Sequence, residues 1–259
     1  MILKMFLLVA VLLTNAVWPQ ELTAESLQPA FTKEMVWPLT VTASSVWGNE
    51  VTAEKQSFHF KMRLKISEWQ DQVPVRVEYL DVNGPQVLSR ISGGVEKETE
   101  RMENHDGTIV GQVDANFLLY SAKDIGHLSN DILLIFPPGP CFGFISPAKT
   151  VQVGESWSSG DVVPVGPRTI KKGQFKFSGV NGQFKLEEVK GAIANISWNG
   201  IADVTFKSRT TTVQGKAEWQ RQIVFDLRTR KFKGNDGVLC IKLLNGLQIS
   251  HNVSIKVNH

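Results

Sequence analysis

Cysteine is scarce: among 259 residues only Cys141 and Cys240 occur. At most one intrachain disulfide is available. In an oxidising compartment that pair is a candidate bridge, closing a loop of about 100 residues for about 4 to 5 kcal/mol in the chain-entropy account. The alternative is two free thiols packed as small hydrophobes. An excess of one charge is also missing. Lys and Arg total 28 against 25 for Asp and Glu, a net +3, whereas a nucleic-acid binder concentrates basic charge on one face. Long apolar runs are absent beyond Met5 to Leu13, and those nine residues fall well short of the ~20 a bilayer-spanning helix needs. Helical periodicity is rare, and neither a tandem repeat nor a low-complexity tract occurs.

Several chemical signatures are missing too. His59, His105, His127, His251 and His259 show no paired metal-ligand spacing, and no Gly-rich phosphate loop, zinc loop or calcium loop is present. His251 shares strand parity with Leu247, Ile249 and Val253, which predicts a satisfied, partly buried ring. No metal and no cofactor is implied.

What is present begins with the compartment. Lys4, the apolar run to Leu13 and the small residues ending at Ala16 form a secretory signal peptide over residues 1–16. With no Cys near that point, a lipoprotein anchor is not indicated, and the mature chain is expected to be exported: periplasmic, cell-surface or secreted.

Alternation with period two dominates the rest. Phe58, Phe60, Met62, Leu64 and Ile66 alternate with His59, Lys61, Arg63 and Lys65, the pattern of a strand with one buried and one wet face. Val73, Val75, Val77 and Tyr79 repeat it, as do Leu247, Ile249, Val253, Ile255 and Val257. Val213, Ala217, Trp219, Ile223, Phe225 and Leu227 share one parity, interrupted by Gly215 and Arg221. Asn181-Gly182, Asn199-Gly200 and Asn245-Gly246 each read as a tight hairpin turn, since Asn-Gly tolerates positive φ. An antiparallel meander follows: 175–180, 183–189, 192–198, 201–207, 211–227, 238–244 and 247–257. Upstream, a short helix broken near Pro29 falls within 21–36, and strands are expected near 38–47, 51–67, 73–82 and 86–92. The charged stretch 95–107 reads as a solvated edge hairpin closed at Asp106-Gly107. Residues 121–135 suit a helix. Pro137, Pro138, Pro140 and Pro147 then punctuate a link. The chain divides into an N-terminal β-rich half over 17–136, a proline-rich link over 137–149 and a C-terminal meander over 150–259.

The segment "VQVGESW", Val151 to Trp157, resembles the Val-Gly-Asp/Glu-Ser/Thr-Trp signature of exported bacterial β-rich proteins of unknown function. The likeness extends over about 130–245, with "ILLIFPP" before the link and "IVFDLRTRKFKGNDG" near the end; Glu155 stands where Asp is more usual. The resemblance implies an exported β fold and brings no activity with it.

Ser156 invites comparison with the Gly-x-Ser-x-Gly nucleophile elbow. Ser158 occupies the last Gly position, and no helix pattern follows. Gly154, Glu155 and Trp157 are instead structural: Gly154 permits a tight turn, Glu155 and Ser156 cap it, and Trp157 folds into the core. Glu187-Glu188 and the pair Glu103 and Asp106 are the available carboxylate couples, and strand neighbours face opposite ways. The run from Lys207 to Lys233 is basic, with Lys207, Arg209, Lys216, Arg221, Arg228, Arg230, Lys231 and Lys233 against Glu218 and Asp226; it reads as the wet face of two strands, with phosphate or anionic lipid as the functional alternative. Trp198 and Trp219 fall in strand patterns as core residues.

The fold expected is all-β with minor α content: long antiparallel amphipathic strands in a sandwich or incompletely closed barrel. The function expected is a non-catalytic binding or scaffolding protein of a bacterial envelope. Its apolar strand faces either meet each other or line a cavity for a hydrophobic small molecule, as in half-barrel lipid carriers. An envelope protein is the other partner class, and nucleic acid is not expected. The alternatives are an envelope hydrolase with dispersed catalytic residues and a glycan-binding surface protein.

Overall fold

The computed structural model describes residues 21–33, 35–49, 51–70, 73–102, 107–114, 119–124, 143–164, 169–170 and 173–258. The strands are β1 (Glu21–Leu22), β2 (Val36–Gly48), β3 (Thr52–Gln70), β4 (Val73–Asn83), β5 (Gln86–Ser92), β6 (Val95–Met102), β7 (Gly107–Val113), β8 (Leu119–Asp124), β9 (Val151–Gln152), β10 (Ser156–Ser158), β11 (Thr169–Ile170), β12 (Gly173–Lys190), β13 (Ile193–Lys207), β14 (Thr212–Asp226), β15 (Lys231–Leu243) and β16 (Gln248–Val257). Among the described residues the only helical element is one 3-10 turn, Glu25–Leu27, where a helix broken near Pro29 was expected.

The all-β antiparallel architecture is as the alternation predicts. Fourteen strands form one sheet in the order β10-β12-β13-β14-β15-β16-β2-β3-β4-β7-β8, with β11 beside β12 and the β5–β6 pair branching from β3. A small second sheet pairs β1 with β9. The C-terminal strand β16 lies against β2 over a continuous register from Gln248↔Gly48 to Val257↔Leu39, so strands from both sides of the proline-rich link share one sheet.

Period-two patterning puts the apolar side chains on one face. In β3, Phe58, Phe60, Met62, Leu64 and Ile66 are buried while the basic residues between them are exposed. Each such side chain contributes about 1.5–3 kcal/mol by leaving water. The sheet curls around this face. Trp47 on β2 and Phe175 on β12 are five inter-strand steps apart, about 24 Å on a flat sheet, yet their ring centroids lie 6.3 Å from each other. The sheet therefore doubles over like a sandwich without closing into a barrel. The concave face is roofed near β12–β15 by residues 143–164, where Phe144 packs on Phe184, Phe225 and Phe232 at 5.2, 6.2 and 5.3 Å.

Two of the three Asn-Gly signals are not turns. Asn181-Gly182 lies inside β12 and Asn199-Gly200 inside β13, with Gly182 paired to Gly200. Where the Asn181-Gly182 signal suggested separate strands, β12 is continuous and carries a β-bulge. Between the pairs Ser178↔Asp203 and Asn181↔Ile201, β12 spends one residue more than β13, and Gly179 at φ +58° absorbs it. That extra residue keeps both Phe175 and Phe184 on the buried face. The hairpin joining β12 to β13 turns instead at Gly191, φ +59°. Asn245-Gly246 is a true turn, with Gly246 N–H donating to the Leu243 carbonyl at 3.0 Å.

The charged stretch expected as a hairpin over 95–107 is instead, over 95–102, the single strand β6, which pairs with β5 through a turn at Gly93-Gly94; residues 95–101 are exposed, as expected of a solvated edge. Residues 121–124, expected to begin a helix, lie in β8 paired to β7; the rest of that expectation, 125–135, is outside the described residues, as are 1–20 and Asp106 at the hairpin end.

Candidate functional site

The signature stretch is a corner built mostly from backbone. Gly154 sits at φ +91°, a conformation costly for any side chain with a Cβ. Its N–H donates to the Leu186 carbonyl at 2.7 Å, and the Leu186 N–H returns a bond to the Glu155 carbonyl at 3.1 Å. The Glu155 carboxylate accepts from the Gln152 backbone N–H at 2.8 Å, closing the turn. Ser156 does not cap it; it is exposed, in β10, and opposite Lys185. Trp157 is half-buried, stacks on Phe184 at 5.5 Å, and donates its indole N–H to the Ile145 carbonyl at 2.7 Å. The corner thus pins the end of the proline-rich link, and Phe144 with it, onto the concave face.

Under that roof the apolar face carries a polar island. In register across the sheet, Phe184, Trp198, Arg221 and Gly237 form one row, Gly182, Gly200 and Trp219 the row before, and Ile196, Ile223 and Asn235 the row after. Gly237 leaves room for the Arg221 stem: a Cβ there would lie 2.4 Å from Arg221 Cγ. Arg221 reaches Asn235, Nη1 to Oδ1 at 3.4 Å, and both are buried. Burial pushes the guanidinium down to about 9, with Asp236 pulling the other way; it remains charged at pH 7. Asn235 Nδ2 and the indole nitrogens of Trp198 and Trp219 meet no acceptor among the described residues, and Ser159 Oγ is equally without a partner. The two indoles meet edge to face at 6.1 Å.

The other expectations disperse. Arg221 is inside, and the rest of the basic run is split. Lys207 and Arg209 sit where β13 gives way to β14, while Arg228, Arg230, Lys231 and Lys233 sit at the opposite end of β14. There Lys233 faces Asp226 at 3.7 Å and Arg230 faces Glu25 at 3.8 Å; Lys216 is bridged to Asp203. Glu187 is held below the usual carboxylate range by Lys185 and then Ser197, and Glu188 by Lys190; the two bind different partners. His251 is buried, its Nδ1 3.3 Å from the Ser44 carbonyl, and His59 Nδ1 lies 2.7 Å from Thr42 Oγ1 on the wet face. Cys240 is a free thiol beside Ser250, at the edge of a trough of about 660 Å³ over Ile201 and Glu218 on the convex face. Cys141, Glu103, His105, His127 and His259 lie outside the described residues. No helix among the described residues is long and apolar enough to cross a membrane.

The sequence showed Arg221 as an interruption of parity and as one cation of the basic run. That interruption was the signal for the buried island; Asn235, which follows a bulge in β15, carried none. No protein-family model and no curated protein matches this chain.

Proposed function

We propose that this is an exported, non-catalytic binding protein of a bacterial envelope whose concave sheet face holds a hydrophobic molecule bearing a hydrogen-bond-accepting, preferably acidic, group. The observation that carries the reading is the island of Arg221, Asn235, Trp198 and Trp219 on a mostly apolar face. A buried donor left without an acceptor costs about 1–3 kcal/mol, and a carboxylate entering beside Arg221 would relieve several such donors at once, while its tail replaced side-chain contacts with Phe144 and Val162. The signal-like N-terminus and the likeness of Val151–Trp157 to exported β-rich proteins support the compartment.

The test is organic extraction of the natively purified protein followed by mass spectrometry, together with titration of a fluorescent fatty acid. A co-purifying amphiphile, saturable binding and its loss in Arg221→Met are expected. No extracted amphiphile and no saturable binding would leave scaffolding as the function. N-terminal sequencing checks export: the mature chain should begin near Val17, and a retained Met1 would refute it.

A further inference from the structure

The convex face over β16, β2 and β3 is unlike the rest of the surface. Along β3 the outward positions are Lys55, Ser57, His59, Lys61, Arg63 and Lys65, all polar and none acidic. Ten residues of strand put Lys55 and Lys65 about 33 Å apart. The neighbouring outward positions of β2 include Thr40, Thr42 and Ser44, and those of β16 Asn252, Ser254 and Lys256, in register with β3 through Lys256↔Thr40↔Lys61 and Ser254↔Thr42↔His59. No carboxylate stands among the outward positions of β16, β2 and β3 from 55 to 65. The acidic groups are at the borders: Asp236 opposite Ser254, Glu78 opposite Lys65, Asp81 bridged to Arg63, and Glu96 bound to Lys55 at 2.9 Å. Lys61, Lys65 and Lys256 are exposed and make no ion pair among the described residues.

This face is also a groove. The β5–β6 hairpin rises beside it, and Thr42, Ser44, Lys55, His59, Arg101 and Asn252 line a depression of about 530 Å³. Arg101, from the hairpin, is held by Glu98 at 2.9 Å. Ala43, Phe58, Pro85, Val87 and Val253 line it as well, so hydroxyl and amide groups stand among apolar ones; Lys61 and Lys256 are not in its lining and belong to the cation line of the same face.

We propose that this face binds an acidic polysaccharide, a chain of sugar rings carrying carboxylate or sulfate groups, laid along β2 from the groove to the row of Lys256 and Lys61. A line of cations longer than any single small anion fits a polymer. Serine, threonine and asparagine side chains match sugar hydroxyls, and the face lacks the aromatic platforms on which single-stranded nucleic acid stacks. A walled groove suits a chain better than a planar membrane. This surface is on the opposite side of the sheet from Arg221 and does not depend on the reading of the concave face.

The experiment is fluorescence anisotropy of the full mature chain with labelled heparin and labelled polygalacturonate, at about 50 and about 200 mM salt. Binding should weaken by about tenfold or more across that range, because a few phosphate-like contacts release counterions. Lys61→Glu/Lys256→Glu should lose about tenfold or more in affinity, and Lys61→Ser/Lys256→Ser an intermediate amount, with circular dichroism unchanged. Lys207→Glu/Arg209→Glu, an equal change of net charge at a distant turn, should change affinity less than about twofold. Failure of both polymers to bind overturns the proposal. So does an equal loss in the distant variant, which would mean undirected attraction by net charge. Binding to phosphatidylglycerol vesicles that exceeds binding to both polymers, and falls with Lys61 and Lys256, would assign the face to a membrane instead and likewise overturn it.

Discussion

At Gly200 a methyl group would lie 2.2 Å from Cζ2 of Trp219 and 2.8 Å from Cα of Gly182. The indole rests on the two paired glycines, so this position has no space for even one added carbon. Gly200→Ala should cost about 3 kcal/mol or more through overpacking, and Gly200→Ala combined with Trp219→Leu should cost clearly less than the sum of the singles, as contacting sites do; urea melts of the four proteins measure both. Arg221 sets a pH dependence of unusual sign. Its folded-state value is near 9, well below that of an ordinary arginine, so above pH 9 the unfolded chain binds the proton more tightly and stability rises with pH. Relative to Arg221→Met, which removes the titration, the parent should gain stability as pH climbs above about 9. Denaturant melts of the pair from pH 7 to 10.5 would show a flat difference if the guanidinium were not buried.

Two elements concentrate the fold's local logic, the signature corner and the β14–β15 hairpin. Trp157 bridges β10, the link and Phe184, so Trp157→Ala should destabilise by about 3 kcal/mol, the lower end for a large aromatic since the ring is half-buried. Ser156→Ala, exposed and outside the turn's bonds, should stay within about 0.5 kcal/mol. In the hairpin, Asp226 is buried, which alone would raise its carboxyl, but the backbone N–H groups of Thr229 and Arg228 outweigh that and hold it low; both bonds reach Oδ1, at 3.1 and 3.0 Å. A depressed carboxyl contributes stability that is present above its unfolded value of about 3.9 and lost as pH falls through the folded one. Asp226→Ala should therefore cost about 1.5–3 kcal/mol at pH 7 and progressively less as pH falls below about 4, by thermal melts across that range.

For the whole molecule, the pairing of β16 with β2 joins residues 200 or more positions apart into one ladder. A sheet with no break at the link should unfold as one unit, with tryptophan fluorescence and far-ultraviolet circular dichroism giving coincident urea transitions. Two separated transitions would show that the N-terminal and C-terminal stretches are independently stable. Long-range pairing of this kind also predicts slow refolding, in the range of milliseconds to seconds or longer by stopped flow.

The strand content, the antiparallel meander, the inward positions of β3 and β16 and the turn at Asn245-Gly246 were legible in the sequence, because a one-face-buried strand must alternate and that alternation is local. So was the corner at Gly154. Asn181-Gly182 and Asn199-Gly200 misled because the same dipeptide serves a tight turn and a cradle for an indole, and only Trp219 on a third strand distinguishes them. Arg221 looked like one more cation of a basic run until register placed it between Trp198 and Gly237. The bulge at Gly179, the curling that brings Trp47 to Phe175, the burial of Arg221 with Asn235 and the carboxylate-free stretch of the convex face over β16, β2 and β3 all depend on which strands lie side by side. Pairing is a contact between distant residues, so tertiary structure alone decides it, whereas the two-residue period of each strand is set by its own backbone.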